Sequence, residues 1–257
     1  MGFIRNRYLG LVFCVGLLAC VPAAEAREGT RAEAERLWEL AVAAKGGRER
    51  LYAVHSLLVA SGSQKYPLIQ LYAFSGRFWQ WAHDPEPLGL AVQMYDAARP
   101  VAYLSYPDDP ESPRRLGGDV RATANYVLAE AQMYYLLETR WLKPEPFETF
   151  AGEVGGRRAD VVRARVAGRQ ADFYLDRKTR LPVQVVFPSE GAGYHPFVRM
   201  KDYADVGGVM LPSKVGHEGD ARGRYVYALN PDYDPGVFER PPTIEAGPFA
   251  WRRAAAR

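Results

Sequence analysis

The feature that most constrains this chain is a two-residue alternation of apolar and polar side chains, which runs through most of it from His55 onward. Such alternation is typical of β-strands, whose successive side chains point to opposite faces of a sheet. Turn residues interrupt it at short intervals, as in DYADVGGVMLPSKV, where a glycine pair separates two extended segments. The pattern predicts about eleven strands, over residues 55–64, 68–74, 77–82, 91–96, 101–106, 157–166, 171–176, 181–187, 197–204, 209–217 and 224–229.

Two segments have helical periodicity instead. The first covers residues 31–45, begins at a capping box made by Thr30 and Glu33, and ends at a glycine pair, with a further turn over 48–53. The second covers residues 120–141 after Asp119 and is apolar around most of its circumference. Residues 143–150 are interpreted as a linker. Because strands and helices do not alternate, we expect one strongly curved antiparallel sheet with helices against one face.

The first 26 residues have the pattern of an export signal. Two arginines precede an apolar core over residues 8–19, and an Ala-x-Ala site ends at Ala26. Cleavage there leaves one domain, residues 27–257. A second interpretation fits the same stretch: residues 17–20 resemble a bacterial lipobox, which would make Cys20 the lipidated first residue of an anchored lipoprotein. We favour cleavage after Ala26 slightly.

Composition and motifs exclude several classes of function. Both cysteines, Cys14 and Cys20, lie in the export segment, so we expect no disulfide, thiol catalysis or cysteine-bound metal. The net charge is only +3 and the Lys and Arg residues are scattered, which argues against nucleic-acid binding. No histidine has a second ligand at metal-site spacing; the four are His55, His83, His195 and His217. We therefore predict no metal, no cofactor and no catalytic residue.

Paired carboxylates keep one enzymatic alternative open. Asp108-Asp109, Asp232 and Asp234 lie in Pro-rich segments and read as turn formers. An envelope hydrolase would need two such carboxyl groups within about 10 Å of each other across a cleft.

A surplus of apolar residues is the positive signal. Residues 68–74 and 78–81 are apolar on both faces of the predicted strands, so apolar material should cover both sides. An ordinary core and an apolar cavity between sheet and helix both fit this pattern. The candidate cavity residues on strands and on the second helix are Leu71, Phe74, Trp79, Trp81, Met94, Tyr126, Met133, Tyr134 and Leu137.

Ordered motifs in the second half resemble a known superfamily. ADFYLDRKTRLPVQVVF, MKDYADVGGVMLPSKV and RYVYALNPDYDPGVFERPP are similar to the C-terminal pattern of the LolA/LolB-like outer-membrane lipoprotein-sorting proteins and their relatives. AAKGGRERLYAVHSLLVASG resembles the helix, glycine pair and first strand of such relatives. The lid residues of the lipoprotein carriers find no match in this sequence, so none is carried over.

The resemblance implies a mainly β (α+β) fold: an unclosed antiparallel β-barrel of about eleven strands, with helices covering the concave face. It also implies a periplasmic carrier or binding module for lipid acyl chains or lipoproteins, without catalysis, whose partner is an outer-membrane receptor or a membrane surface. An envelope sensor or interaction module on the same fold is the alternative. That alternative predicts a filled or shallow hollow and a protein partner on an exposed strand edge.

Overall fold

The computed structural model describes residues 29–61, 67–84, 89–106, 109, 111–187, 197–216 and 223–239. The predicted export segment, with Cys14 and Cys20, and also Asp108, His195 and His217 lie outside the described residues. The helices are α1 (Arg31–Ala44), α2 (Arg48–Ala53) and α3 (Val120–Ala131), followed by a π-helical turn (Gln132–Leu136) and, near the end, a 3₁₀ turn (Pro235–Phe238). The strands are β1 (Ser56–Ser61), β2 (Leu68–Ala73), β3 (Arg77–Asp84), β4 (Gly89–Asp96), β5 (Val101–Ser105), β6 (Arg114–Arg115), β7 (Glu145–Val154), β8 (Arg157–Val166), β9 (Arg169–Asp176), β10 (Pro182–Val186), β11 (Phe197–Val206), β12 (Val209–Gly216) and β13 (Tyr225–Leu229).

The strands form two antiparallel sheets. The first has the order β13-β1-β2-β3-β4-β5-β6 and the second the order β12-β11-β10-β9-β8-β7. Within the described ranges, the edge strands β6 and β7 do not pair with each other, so the barrel is unclosed. The prediction of a mainly β, unclosed antiparallel half-barrel is confirmed.

The single curved sheet expected from sequence is divided between β12 and β13. Side chains connect these two neighbouring edges: the hydroxyl of Tyr227 donates to the carbonyl of Pro212, and Arg224 donates to Oγ of Ser213 at 3.0 Å. The half-barrel therefore runs from β6 through β13 and β12 to β7.

Strand β7 corrects the interpretation of residues 143–150 as a linker. It pairs with β8 from Glu145 to Val154, and the register shifts between Pro146 and Glu148. Proline cannot donate to a sheet ladder and is confined to edge strands and bulges. β7 is an edge strand with a register shift at its proline, so the Pro-rich composition did not prevent strand formation.

The main core lies on the inner face of both sheets, which we define as the face that packs against α1 and α3. Trp38 of α1 meets Phe173 of β9 edge to face, with ring centroids 5.0 Å apart. Leu57, Tyr72 and Val162 extend this core across both sheets.

A second apolar cluster covers the outer face of the first sheet. Leu71, Trp79 and Met94 are almost fully buried there, and Phe238 of the 3₁₀ turn packs on them with 0% exposure. The prediction that apolar material covers both faces of these strands is confirmed, because the segment around Phe238 covers the outer side.

The two glycine pairs meet in the folded chain. Gly46, at the end of α1, has φ of 119°, and a Cβ atom there would lie 2.1 Å from the carbonyl oxygen of Gly208. The amide of Met210 also donates to the carbonyl of Lys45 at 2.9 Å. A residue without a side chain at position 46 thus allows α1 to end directly against the β11–β12 turn.

Candidate ligand-binding clefts

Helix α3 lies against the inner face of the first sheet. Its N-cap Asp119 accepts a hydrogen bond from the amide of Ala122 at 3.0 Å, which satisfies one of the free donors of the first turn. Ala124 and Leu128 are buried on the side that packs toward β3 and β4. The opposite side, with Asn125 and Tyr126, is exposed.

The π-helical turn ends this helix earlier than the predicted residue 141. The side-chain amide of Gln132 donates to the carbonyl of Leu142 at 2.8 Å, and its oxygen accepts from the hydroxyl of Thr139 at 2.6 Å. Leu137 then has φ of 75°, which breaks the helical geometry. The buried Gln132 side chain takes the polar groups of residues 139–142 as partners, so the chain turns back instead of continuing as a helix.

A buried lysine fastens this turn to the rest of the fold. Lys45 is 1% exposed and donates to the main-chain carbonyls of Tyr135 and Met210. Its Nζ also lies 5.0 Å from the ring centroid of Tyr203. Burial lowers the pKa of Lys45 to about 7. Helix α1, the π turn and β12 therefore meet at one ammonium group.

Two clefts flank α3. The first, which we name the hairpin cleft, lies between α3 and the β8–β9 hairpin and has a volume of about 550 Å³. Its walls are largely apolar and include Ala129, Met133, Val166, Ala171 and Phe187. Tyr126, Arg169, Gln170 and Asn125 supply its polar groups. The volume falls within the range of about 300–1,000 Å³ that is usual for small-molecule sites.

The second, which we name the turn cleft, lies on the other side of α3 and has a volume of about 580 Å³. The β2–β3 and β4–β5 turns form one wall, and Trp141 stacks on Phe74 there, with ring centroids 6.4 Å apart and planes inclined by 22°. Trp141 is 47% exposed, an unusual position for so large an apolar side chain. Asn125, Ala129 and Ala167 line both clefts, so the two clefts are adjacent along α3.

A chain of polar groups runs along α3 beside the hairpin cleft. The hydroxyl of Tyr126 donates to Oε1 of Glu130, and the hydroxyl of Tyr134 approaches the same oxygen at 3.4 Å. Burial raises the pKa of Glu130, against the opposing effect of these hydrogen bonds. Burial, followed by the bond to Glu130, raises the pKa of Tyr126 to about 12. The Arg169 guanidinium lies over the Tyr126 ring, 4.6 Å from its centroid.

The structure divides the nine candidate cavity residues between the two faces of the sheet. Tyr126 and Met133 line the hairpin cleft, and Phe74 lines the turn cleft. Two others belong to the inner core; these are Tyr134, which meets Phe187 edge to face, and the buried Leu137. Four lie in the outer cluster, away from both clefts: Leu71, Trp79, Trp81 and Met94.

Several residues of the clefts were not anticipated. Arg169 follows Gly168 in the β8–β9 turn and looks in sequence like any surface arginine. Lys45 is a basic residue at a helix end, a common surface position that gives no sign of burial. The sequence places Phe187 in a predicted strand, but its position in the hairpin cleft follows only from how the end of β10 lies near α3.

Asp109 and Asp234, two of the carboxylates considered for hydrolysis, accept hydrogen bonds from backbone amides within local turns. Asp109 accepts from the amide of Glu111 at 3.0 Å, and the bond from Arg114 lowers the pKa of Asp109. Asp234 accepts from the amide of Gly236 at 2.8 Å and begins the 3₁₀ turn, while Asp232 lies just before it. Within the described ranges, no three His, Cys, Asp or Glu side chains form a group that could hold a metal ion. None of the helices described is both long and apolar enough to cross a bilayer.

Comparisons with known proteins give matches in structure alone. No family model matches the sequence. No curated protein matches it either. A LolA superfamily protein from Nitrosomonas europaea is 11% identical, with a TM-score of 0.43, covering 80% of this chain and 97% of that one. A DUF1329 family protein from Desulfovibrio piger is 8% identical, with a TM-score of 0.44 and the same coverage, 80% and 97%.

A third solved structure is named a putative outer-membrane lipoprotein-sorting protein domain, from Vibrio parahaemolyticus. It is 10% identical, with a TM-score of 0.40, and covers 80% of this chain and 97% of that one. The chain is thus similar to solved proteins of the LolA superfamily, the DUF1329 family and the lipoprotein-sorting group, while its fold assignment rests on the strand order and register described above.

Proposed function

We propose that this protein is a non-catalytic carrier or binding module for lipid acyl chains or lipoproteins in the bacterial envelope. The single observation that carries the proposal is the pair of largely apolar clefts on either side of α3. Both are open to a ligand from outside, and both are lined in part by residues of the inner core, such as Phe74 in the turn cleft and Met133 in the hairpin cleft.

The physical chemistry of the clefts suits an acyl chain. Burial of each methylene group contributes about 0.8 kcal/mol. A long chain therefore gains on the order of 10 kcal/mol before the cost of ordering it is subtracted. A cargo held in this way leaves only for another apolar site, which implies an outer-membrane receptor or a membrane surface as the recipient.

Helix α3 is the movable element in this proposal. Its C-terminal end is fixed through Gln132 and through the bond from Lys45 to Tyr135. Near its beginning, a hydrogen bond of 3.3 Å from Nε of Arg121 to the carbonyl of Ala97 joins it to the β4–β5 turn, while Ala122 and Asn125 are exposed. A pivot of α3 about its fixed C-terminal end would join the two clefts along the helix.

The envelope location follows from the export signal. We propose that cleavage after Ala26 releases the domain into the periplasm; the alternative is an outer-membrane lipoprotein anchored through Cys20.

Extraction of bound lipid tests this function. The chain is expressed with its export segment in a bacterium, purified without detergent and extracted with organic solvent for mass spectrometry. We expect acyl lipid in near-stoichiometric amount, or stoichiometric binding of a fluorescent C16 fatty acid when the purified protein is empty. A protein that carries no lipid and does not bind the fluorescent acid at micromolar concentration would contradict the proposal.

An interaction module is the second candidate, and strand β7 is the observation that favours it. β7 is an edge strand of the second sheet. Among the described residues, its free edge pairs with no further strand and forms only a single β-bridge, between Gly29 and Thr149. Because the carbonyl of Thr149 accepts from Gly29, the main-chain groups of Ala151 point to the same open edge. An extended partner segment could add to this edge.

A substitution at that edge separates the two candidates. Ala151→Pro removes an edge-facing donor without removing a bond to β8. The interaction module predicts that this variant loses a partner captured from envelope extract by the wild-type protein. The carrier predicts that its acyl binding is unchanged.

A further inference from the structure

The hairpin cleft combines an apolar interior with a cation at its mouth. Met133 and Phe187 are 5% and 7% exposed and form the deep wall, together with the buried Ala171. Arg169, at the start of β9, is exposed and lines the same cleft. This arrangement has the polarity of an amphiphile, with space for a tail inside and for a charged group at the entrance.

The guanidinium of Arg169 is positioned by an aromatic ring. It lies over the ring of Tyr126 at 4.6 Å, and within the described residues it forms neither a hydrogen bond nor an ion pair. Stacking restricts the plane of the group and leaves its N–H donors available. A planar guanidinium with free donors matches the two oxygens of a carboxylate or phosphate.

The Tyr126 ring, over which the Arg169 guanidinium lies, is held in place by a hydrogen bond of its own. The Tyr126 hydroxyl donates to Glu130, one turn further along α3, so the ring on which the guanidinium stacks has a defined orientation. The same Glu130 oxygen is approached by Tyr134. In the part of the chain that is described, Glu130 forms no ion pair with Arg169. The tyrosine hydroxyls are its hydrogen-bond partners, and the charge of Arg169 acts on it only through space, by lowering its pKa against the effect of burial.

We propose that the hairpin cleft binds a single-chain amphiphile with an anionic head group, the tail lying against Met133 and Phe187 and the head group on Arg169. The inference rests on the proposed acyl-chain function and adds the charge of the ligand to it. A fatty-acid carboxylate and an alkyl phosphate share the required chemistry. A neutral head group would leave the Arg169 donors without a charged partner.

Three C16 probes that differ only in the head group test this inference. Palmitate, hexadecyl phosphate and hexadecanol displace a fluorescent acyl probe from the full-length secreted protein at low salt. We expect the two anions to bind about tenfold more tightly than the alcohol, and the ratio of the two anions to show which head group is preferred.

Substitutions of Arg169 test whether this residue causes the tighter binding of the anionic probes. We expect Arg169→Gln to bring the three affinities within about twofold of each other while the affinity for hexadecanol is retained, and Arg169→Lys to keep part of the preference. Arg158→Gln, an exposed arginine at the start of β8, is the matched control and should preserve the preference.

The outcomes separate this inference from the function on which it rests. Equal binding of palmitate and hexadecanol by the wild-type protein would contradict the proposed preference for an anionic head group, but not the proposed acyl-chain carrier function. The same holds if Arg169→Gln weakens all three probes equally. Failure of all three probes to bind overturns both.

Discussion

The indole Nε1 of Trp38 donates a hydrogen bond of 2.9 Å to Oε2 of Glu138, which lies 100 residues further along the chain. Both side chains are buried. The other carboxylate oxygen of Glu138 accepts from Nε of Arg48 at 2.7 Å. One buried carboxylate thus connects α1, α2 and the segment that follows the π turn, and so fixes the C-terminal end of α3.

Removal of this carboxylate should destabilise the fold. Glu138→Ala leaves the indole N–H of Trp38 buried without an acceptor and removes the buried partner of Arg48. We expect a loss of about 2–4 kcal/mol in the free energy of unfolding, measured by urea denaturation.

Glu39 provides the comparison for this variant. Its carboxylate also accepts from Arg48, at 2.7 Å, but both groups are largely exposed. Exposed pairs contribute about 0–1 kcal/mol, so Glu39→Ala should cost less than about 1 kcal/mol. Equal losses for the two variants would show that Glu138 does not have the connecting role assigned to it.

The buried Lys45 should make stability depend on pH. Its pKa is lowered to about 7 in the folded protein, whereas in the unfolded chain it has an ordinary value near 10.4. Between these values the unfolded state binds more protons, so the free energy of unfolding should rise with pH, by up to about 1.4 kcal/mol per pH unit. Urea denaturation between pH 7 and 9 measures this slope.

Lys45→Met is the variant that identifies the source of the slope. It keeps most of the volume but cannot titrate, so the rise between pH 7 and 9 should be reduced relative to the wild type. An identical slope in both proteins would mean that Lys45 titrates at its ordinary pKa.

Substitutions in the outer cluster and in the hairpin cleft should both lower stability, but only those in the cleft should weaken ligand binding. Leu71 is buried in the outer cluster, and Met133 lines the hairpin cleft. Leu71→Ala and Met133→Ala should each cost about 2–5 kcal/mol of stability. Only Met133→Ala should weaken the binding of a fluorescent acyl probe, by roughly tenfold. A comparable loss of affinity in Leu71→Ala would place the ligand near the outer face instead.

An enlarged side chain at position 129 should block the clefts. Ala129 is buried and lines both of them, so Ala129→Leu projects additional volume into the ligand space. We expect acyl affinity to fall about tenfold, as measured by probe titration.

Ala131→Leu makes the same change two residues further along α3, where the site is buried but outside both clefts. It should cost about 1–3 kcal/mol by overpacking without changing affinity. If neither leucine variant lowers affinity, the clefts are not the binding site.

The strands were largely predictable because their signal is local. Alternation and turn residues occur within a few positions of each other, so β1–β5 and β8–β13 were anticipated near their observed positions. β7 was missed since the Lys-Pro-Glu-Pro stretch that leads into it resembles a linker, and the two-residue strand β6 was not predicted either. The division between β12 and β13, and the cover that Phe238 provides on the outer face, depend on contacts distant in sequence.

The candidate site was predictable only in part. Leu71 and Phe74 are separated by an odd number of positions, so a regular strand places them on opposite faces, and the structure does so. Apolar character alone could not decide which face is the inner one. The end of α3 depends on the side-chain bonds of Gln132, and the position of Arg169 depends on how the β8–β9 hairpin approaches α3.

The most direct test of the account is to map where an acyl chain lies in the folded protein. A palmitic acid analogue with a photoreactive diazirine in its tail is bound to the secreted protein and irradiated, and the labelled tryptic peptides are identified by mass spectrometry. We expect labels in peptides 122–140 and 181–199, which contain Met133 and Phe187, with competition by unlabelled palmitate. Labels confined to the outer-cluster strands, or labels that palmitate does not displace, would contradict it.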